Sequence, residues 1–199
     1  MRRIVMFNRV TADGYFAGAD GNLAWALPDD ELDKEATNGM PHTDAILFGR
    51  RTYDMFASFW PHVLDDSQTA ANAHDAVRRS PAMRAMAVFL NESPKLVFSR
   101  TLKDAAWQNT RILGEFDPNV VEALKQEPGE DIIIFGSGSI VSLLTQHGLI
   151  DEYQFVVSPL LLGNGRTLVS GVPVSMGLRL LEAKQYLSGN VKLRYARPS

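Results

Sequence analysis

Three short segments of the chain place anion-binding groups at the ends of apolar runs. In Leu47-Phe48-Gly49-Arg50-Arg51-Thr52-Tyr53, a buried strand ends at Gly49, and Arg50, Arg51 and Thr52 open a helix. A helix N-terminus offers unpaired N–H groups and a positive dipole end. Two guanidinium groups and a hydroxyl add charge-assisted donors suited to phosphate. Val97-Phe98-Ser99-Arg100-Thr101 delivers a hydroxyl and a guanidinium in the same way. Phe135-Gly136-Ser137-Gly138-Ser139-Ile140 ends a strand in a Gly/Ser turn that opens a helix, so the backbone can come close to a pyrophosphate. It is not a G-x-G-x-x-G fingerprint, because residue 141 is Val. Each segment also has a plain reading, as solvated arginines, a common polar turn or a tight strand–helix junction.

The elements that position these turns are legible from the hydropathy pattern. Residues 4–7, 44–48, 95–99, 131–135 and 153–157 are apolar runs without alternation, as expected for strands covered on both faces. Residues 178–183 and 191–195, separated by Ser188-Gly189-Asn190, predict an antiparallel hairpin at the end of the sheet. Helices are predicted after Asp117-Pro118 and over residues 140–147 with Gly148 as a stop. Pro28 is predicted to open another, with Asp29, Asp30 and Glu31 in its first turn. The polar, Ala-rich stretch 66–79 reads as a surface helix or ordered insertion ending before Pro81. Strand and helix alternation predicts an α/β domain with a mainly parallel sheet. In such a sheet, ligands bind outside the carboxyl ends of the strands. Three converging anion-binding turns ask for a ligand with several phosphates, hence a nucleotide. Paired arginines suit the 2′-phosphate of NADP.

Composition removes several alternatives. The 199 residues carry 20 Lys+Arg against 23 Asp+Glu, a net charge of -3, which gives no reason to expect a nucleic acid partner. No aromatic–basic strip supports single-strand binding either. The chain has no cysteine, which excludes disulfides, thiol nucleophiles and Cys-ligated metals. His42, His62, His74 and His147 show no metal spacing. Ser137 and Ser139 do not form a G-x-S-x-G elbow. Phe56, Phe59 and Trp60 read as core. A run of four apolar residues precedes Asn8, short of the roughly 7–15 of a secretory core, and no run approaches the ~18 of a membrane span. A cytoplasmic protein without membrane contact is expected.

Taken with Thr11-Ala12-Asp13-Gly14-Tyr15-Phe16-Ala17, Leu149-Ile150-Asp151-Glu152-Tyr153 and Ser158 to Gly165, the three turns resemble the dihydrofolate reductase-like superfamily. The match is to its bacterial branch, related to the reductase domain of the bifunctional riboflavin-biosynthesis deaminase/reductase. It spans nearly the whole chain, with residues 61–90 matched least. The resemblance implies one domain over residues 1–199, a central mixed sheet of about eight strands flanked by helices, and a helical insertion around 61–90. It implies NADPH as hydride donor, a small-molecule substrate that is a pteridine- or pyrimidine-like heterocycle, as in 5-amino-6-(5-phosphoribosylamino)uracil reductase, and a homodimer.

By the same resemblance, Gly49, Arg50, Arg51 and Thr52 hold the adenosine-side phosphates. Ser99, Arg100 and Thr101 sit at the 2′-phosphate, and Gly136, Ser137, Gly138, Ser139 and Ile140 lie under the pyrophosphate and nicotinamide. Dihydrofolate reductases join the first two residues of the last turn, both glycine, by a cis peptide; here the second is Ser137. Trp25-Ala26-Leu27-Pro28-Asp29-Asp30 resembles the Trp-x-Leu-Pro-x-Asp segment of those enzymes, which assigns Asp30 as the proton-handling acid. The plain reading of Asp29, Asp30 and Glu31 is a complement to the helix dipole. Asn8 and Arg9 are expected to reach the nicotinamide. The alternative to an enzyme is a module that binds NADP(H) without turnover. An acid facing an open cleft distinguishes the first, and a cleft filled by Trp25 or Phe16 the second.

Overall fold

The computed structural model describes residues 1–26, 29–39, 42–65, 80–172 and 175–198. Ten strands and five α-helices follow one another along the described chain. They are β1 (Ile4–Thr11), β2 (Tyr15–Ala17), α1 (Asp30–Gly39), β3 (Thr43–Gly49), α2 (Arg50–Ala57), α3 (Pro81–Glu92), β4 (Lys95–Phe98) and β5 (Thr110–Gly114). Then come α4 (Pro118–Gln126), β6 (Asp131–Phe135), α5 (Gly138–Gln146), β7 (Glu152–Ser158), β8 (Arg166–Thr167), β9 (Arg179–Gln185) and β10 (Val191–Ala196).

Eight strands form one sheet in the order β5-β4-β3-β6-β1-β7-β10-β9. The pairs from β5 across to β7 are parallel, and β10 runs antiparallel to both β7 and β9. The expected mostly parallel sheet with an antiparallel C-terminal hairpin is therefore present. Short β2 and β8 pair separately as a two-stranded ribbon. The central strands are buried on both faces, which explains their lack of alternation. On one face Ile4, Met6, Leu47, Ile132 and Ile134 pack under Val121 and Leu124 of α4 and Val141 and Leu144 of α5. On the other, Ile46, Phe48 and Val97 pack with Tyr53, Leu90 and Trp107.

The structure differs from the sequence reading in three places. Edge strand β5 was not expected; only one side of it pairs, and its residues are half-buried or exposed. A helix not given by the sequence reading begins at Pro81, after the 66–79 stretch expected to end before it. Ser80 Oγ accepts from Met83 N at 3.1 Å, and proline occupies the first helical position, where its missing N–H costs nothing. Helix α1 begins at Asp30 because Asp29 caps it, its Oδ1 accepting from Leu32 N at 3.1 Å. Pro28 and residues 66–79 lie outside the described residues. So, apart from its ends, does the expected insertion at 61–90; its C-terminal part is α3, which buries Ala87 and Leu90 against the core.

Candidate functional site

The carboxyl ends of β3, β6 and β1 lie side by side, with Phe7 in register with Phe135 and Gly49 with Phe98. A cavity of about 1250 Å³ opens there. Its floor is formed by these strand ends, and its walls by α1, α2, α3, the start of α5, the loop before α1 and the β2–β8 ribbon. That volume exceeds what a small metabolite alone fills.

At one end two strand–helix junctions are tied together. Ser137 Oγ accepts from Gly49 N at 2.9 Å, and Ser137 N donates to Thr52 Oγ1 at 2.9 Å. The backbones come so close that a β-carbon at Gly49 would lie 2.9 Å from Ile140 Cγ1. Gly136 has φ +60°, and a β-carbon there would meet Thr52 at 3.1 Å. Ser137 also adopts the left-handed conformation, φ 60° and ψ 51°, which few non-glycine residues do. The Gly136–Ser137 peptide is trans. Ser137 and Gly49 are the N-cap residues of α5 and α2. The first N–H groups of two helices, which helical bonding leaves unused, thus meet at one wall. Gly49, Arg50, Arg51, Thr52, Gly136, Ser137, Gly138, Ser139 and Ile140 all line the cavity. Arg50 Nε donates to Asp54 at 2.6 Å, while the exposed Arg51 has no ion pair among the described residues.

The third turn lies beside this wall rather than in it. Phe98 lines the cavity; Ser99, Arg100 and Thr101 do not. Ser99 Oγ accepts from the backbone N–H groups of Thr101 and Leu102, which closes the turn on itself. Exposed Arg100 faces Glu115 at 3.6 Å.

The opposite end is made of side chains. Arg9 from β1 and Asp33 from α1 both line the cavity. Burial pushes the Arg9 guanidinium below its ordinary pKa, against the pull of Asp33 and Asp29. Burial likewise pushes the Asp33 carboxyl above its ordinary value, against Arg9 and the Asp29 backbone. The two groups form no direct ion pair. Arg9 Nε and Trp25 Nε1 are buried without a hydrogen-bond partner among the described residues. Asn8 is also present, its amide turned to Met6 Sδ at 3.0 Å. Asp30 is exposed and outside the cavity lining; the carboxylate that α1 offers to the cavity is Asp33, one turn further on. The reason is the cap. With Asp29 turned inward onto Leu32 N, Ser188 and Asn190, the next residue points to solvent. Against the penalty of burial, those hydrogen bonds hold the Asp29 carboxyl below its ordinary pKa.

Helix α1 is fixed from behind by the C-terminal hairpin. Glu35 accepts from Lys184, and from Lys192 at 2.6 Å. Burial alone would raise the Glu35 carboxyl, but the two lysines bring it down to about 2. In front, the loop over residues 20–26 forms a cover. Arg166 of β8 holds it by donating to Ala19 O at 3.3 Å and packing on Gly21. Phe16, Trp25 and Asp33 all line the cavity. Phe56 and Trp60 pack on the core as expected and also reach the cavity. Asp33 and Arg166 were not singled out in the sequence. The available signal for Asp33 was its place beside the apolar Leu32–Ala36 stripe of α1, once the cap is set at Asp29.

The sequence model of the RibD C-terminal domain matches residues 2–192. The chain is 29% identical over 198 residues to the protein YyaP of Bacillus subtilis, covering 98% of this chain and 94% of that one. Among solved structures, the deaminase/5-amino-6-(5-phosphoribosylamino)uracil reductase of Thermotoga maritima superposes with a TM-score of 0.65 at 13% identity. That match covers 99% of this chain and 57% of the other. The dihydrofolate reductase of Enterococcus faecalis, complexed with NADP(H) and RAB-propyl, superposes with a TM-score of 0.63 at 12% identity, covering 99% and 97%. The fold is dihydrofolate reductase-like. No helix among the described residues is long and apolar enough to cross a membrane.

Proposed function

The chain belongs to the RibD C-terminal domain family, and on that premise we propose that it is an NADPH-dependent reductase of a small pteridine- or pyrimidine-like heterocycle. The observation that carries this reading is the joined wall of Gly49–Thr52 and Gly136–Ile140 at one end of a cavity large enough for a dinucleotide and a second ligand. The fit to a dinucleotide is local and physical. Two helix N-termini and Arg51, without an ion pair among the described residues, favour phosphate there, and the missing β-carbons of Gly49 and Gly136 leave the backbone open to close approach. Ser99 and Arg100, which follow the cavity-lining Phe98, would meet a ribose phosphate extending out of the cavity.

NADPH, when bound, supplies the hydride. The chain's own residues do the positioning, which accounts for most of the rate in hydride transfer. Phe7, Phe16 and Trp25 form apolar walls that exclude water, and Arg166 holds the covering loop. Asp33, rather than Asp30, is the acid that faces the second ligand. An open cavity that Phe16 and Trp25 line together with Asp33 supports turnover over binding alone. The family resemblance carries the homodimer expectation here as well, which light scattering tests.

Thermal unfolding with NADPH and with NADH tests the cofactor reading. A ligand at a hundred times its dissociation constant adds about 2.7 kcal/mol, and each kcal/mol moves the midpoint of a chain this size by roughly 2–4 °C. A clear rise with NADPH, larger than with NADH, is expected. No rise with either at millimolar concentration overturns the cofactor assignment. Oxidation of NADPH by a panel of oxidised pteridines and pyrimidines then tests turnover.

A further inference from the structure

A second cavity, of about 310 Å³, lies between α1 and α3 toward the amino ends of the parallel strands. It is at the small end of the range for ligand sites. A gap of this size over a central sheet is unusual, because interiors are close-packed. Its floor changes character across the strand order β6-β1-β7-β10. Ile133 and Phe135 of β6 and Val5 and Phe7 of β1 are apolar. Glu152 and Gln154 of β7 and Lys192 and Arg194 of β10 are polar or charged. The walls follow the floor. Met86 and Phe89 of α3 belong to the same apolar cluster as Ile133 and Phe135. On the other side, Glu35 of α1 accepts from Lys192 at 2.6 Å.

The charged half is deep rather than superficial. Glu152 is 1% exposed. Its Oε1 accepts from Arg194 Nε and Gln154 Nε2, both at 2.7 Å, and its Oε2 from Arg3 Nη1 at 3.3 Å. Arg3 also donates to Asp131 at 2.5 Å. Burying such a network adds little stability, because desolvation offsets the attraction between the charges. Kept beside an unfilled space, it has the character of a recognition surface. Among the described lining residues, Arg3, Lys192 and Arg194 balance Glu35, Asp131 and Glu152, and His42 and Thr43 add an imidazole and a hydroxyl. A ligand of net charge would upset that balance, whereas one that carries both signs meets a partner for each.

We propose that this cavity binds a free α-amino acid with an apolar side chain. Its ammonium group lies on Glu152 and Glu35, its carboxylate on Arg194 and Lys192, and its side chain on Phe7, Ile133 and Phe89. The site is separate from the reductase reading and does not rest on it. Helix α1 gives Leu32, Glu35 and Ala36 to this cavity and Asp33 to the larger one, so occupancy of the first bears on a wall of the second.

Thermal unfolding and titration calorimetry of the full chain test it, with L-leucine, L-methionine and L-phenylalanine as probes. At least one binds, and raises the unfolding temperature without NADPH. The amide and the N-acetyl form of the tightest binder each lack one charge, and L-serine lacks the apolar side chain. All three bind weaker by roughly tenfold or more. Ala36→Phe fills the space from α1 and also weakens binding by roughly tenfold or more. Cooperative unfolding shows that this variant is folded; if it is not, the altered probes decide alone. The inference is overturned if none of the three amino acids binds at millimolar concentration. It is equally overturned if the amide, the N-acetyl form or serine binds as tightly as the parent amino acid, or if folded Ala36→Phe binds as the unsubstituted chain does. A rise with NADPH and none with the amino acids overturns this inference alone, and the reverse overturns the cofactor reading alone.

Discussion

At the end formed by β3 and β6 the cavity wall is largely backbone, whereas at the end formed by β1 and α1 it is side chains held by other side chains. The first is two strand–helix turns stitched by Ser137 and Thr52, with glycine where a β-carbon would collide. The second depends on the Asp29 cap and on Glu35, which clamps α1 to the hairpin. A backbone-built wall suits the feature shared by every nucleotide cofactor, its phosphates. A side-chain wall can be changed residue by residue, which suits the ligand that differs between relatives.

The comparison can be broken most forcefully at Gly49. Gly49→Val puts a branched side chain where even a β-carbon would sit 2.9 Å from Ile140. The expected cost is about 2–3 kcal/mol of stability, with the NADPH-induced rise in unfolding temperature lost. A variant that still binds NADPH normally would show that the wall is not a close-approach surface. Arg51→Ala comes next. With no ion pair to lose among the described residues, its effect falls on the cofactor: roughly tenfold weaker NADPH binding, with NADH little changed. Arg50→Ala is expected to do less, because Arg50 is already paired with Asp54.

Acid should act on the other end. The Glu35 carboxyl titrates at about 2 in the folded chain against 4.5 ordinarily. A depressed pKa gives stability that is fully present above 4.5 and lost as pH falls from there toward 2. After screening, Glu35→Gln should cost about 2 kcal/mol at neutral pH and flatten the acid limb of a plot of unfolding temperature against pH. An unchanged acid limb would show that the clamp is not what fixes α1. Asp33 has the opposite sign. Burial raises its pKa, so ionisation opposes folding once the pH rises past its ordinary value. Asp33→Asn should therefore raise neutral-pH stability, read as a higher unfolding temperature, while weakening binding of the second ligand, the usual signature of a site held for function.

The same contrast explains what the sequence disclosed. Residues 47–52 and 135–140 were legible because a strand ending in glycine before a helix fixes its own geometry within a few positions. The two-sided burial of β1, β3, β4, β6 and β7 was legible for the same reason. Asp33 was not, since it depends on which of three consecutive acids caps α1. That is settled by Ser188 and Asn190, about 160 residues away. Strand β5 was hidden because an edge strand half open to water needs neither an apolar run nor clean alternation. The Ser99–Thr101 turn followed its strand as expected, but whether it lines the cavity depends on its neighbours in the sheet.

The smallest effect is the finest test of the backbone wall, because it sets two costs against each other at Ser137. Its left-handed backbone costs about 1–2 kcal/mol for a residue with a β-carbon. Its Oγ returns part of this by accepting from the buried Gly49 N–H. Ser137→Ala keeps the strain and loses the bond, so it should be destabilised by about 1–2 kcal/mol. Ser137→Gly loses the bond but also the strain, while adding the backbone freedom of glycine to the unfolded chain. The net change should lie within about 1 kcal/mol of zero, read as a midpoint shift of a few degrees or less. Glycine as damaging as alanine would mean that the left-handed turn carries no penalty. The wall would then owe its shape to the Ser137 hydroxyl alone, a side-chain device like those of the opposite end.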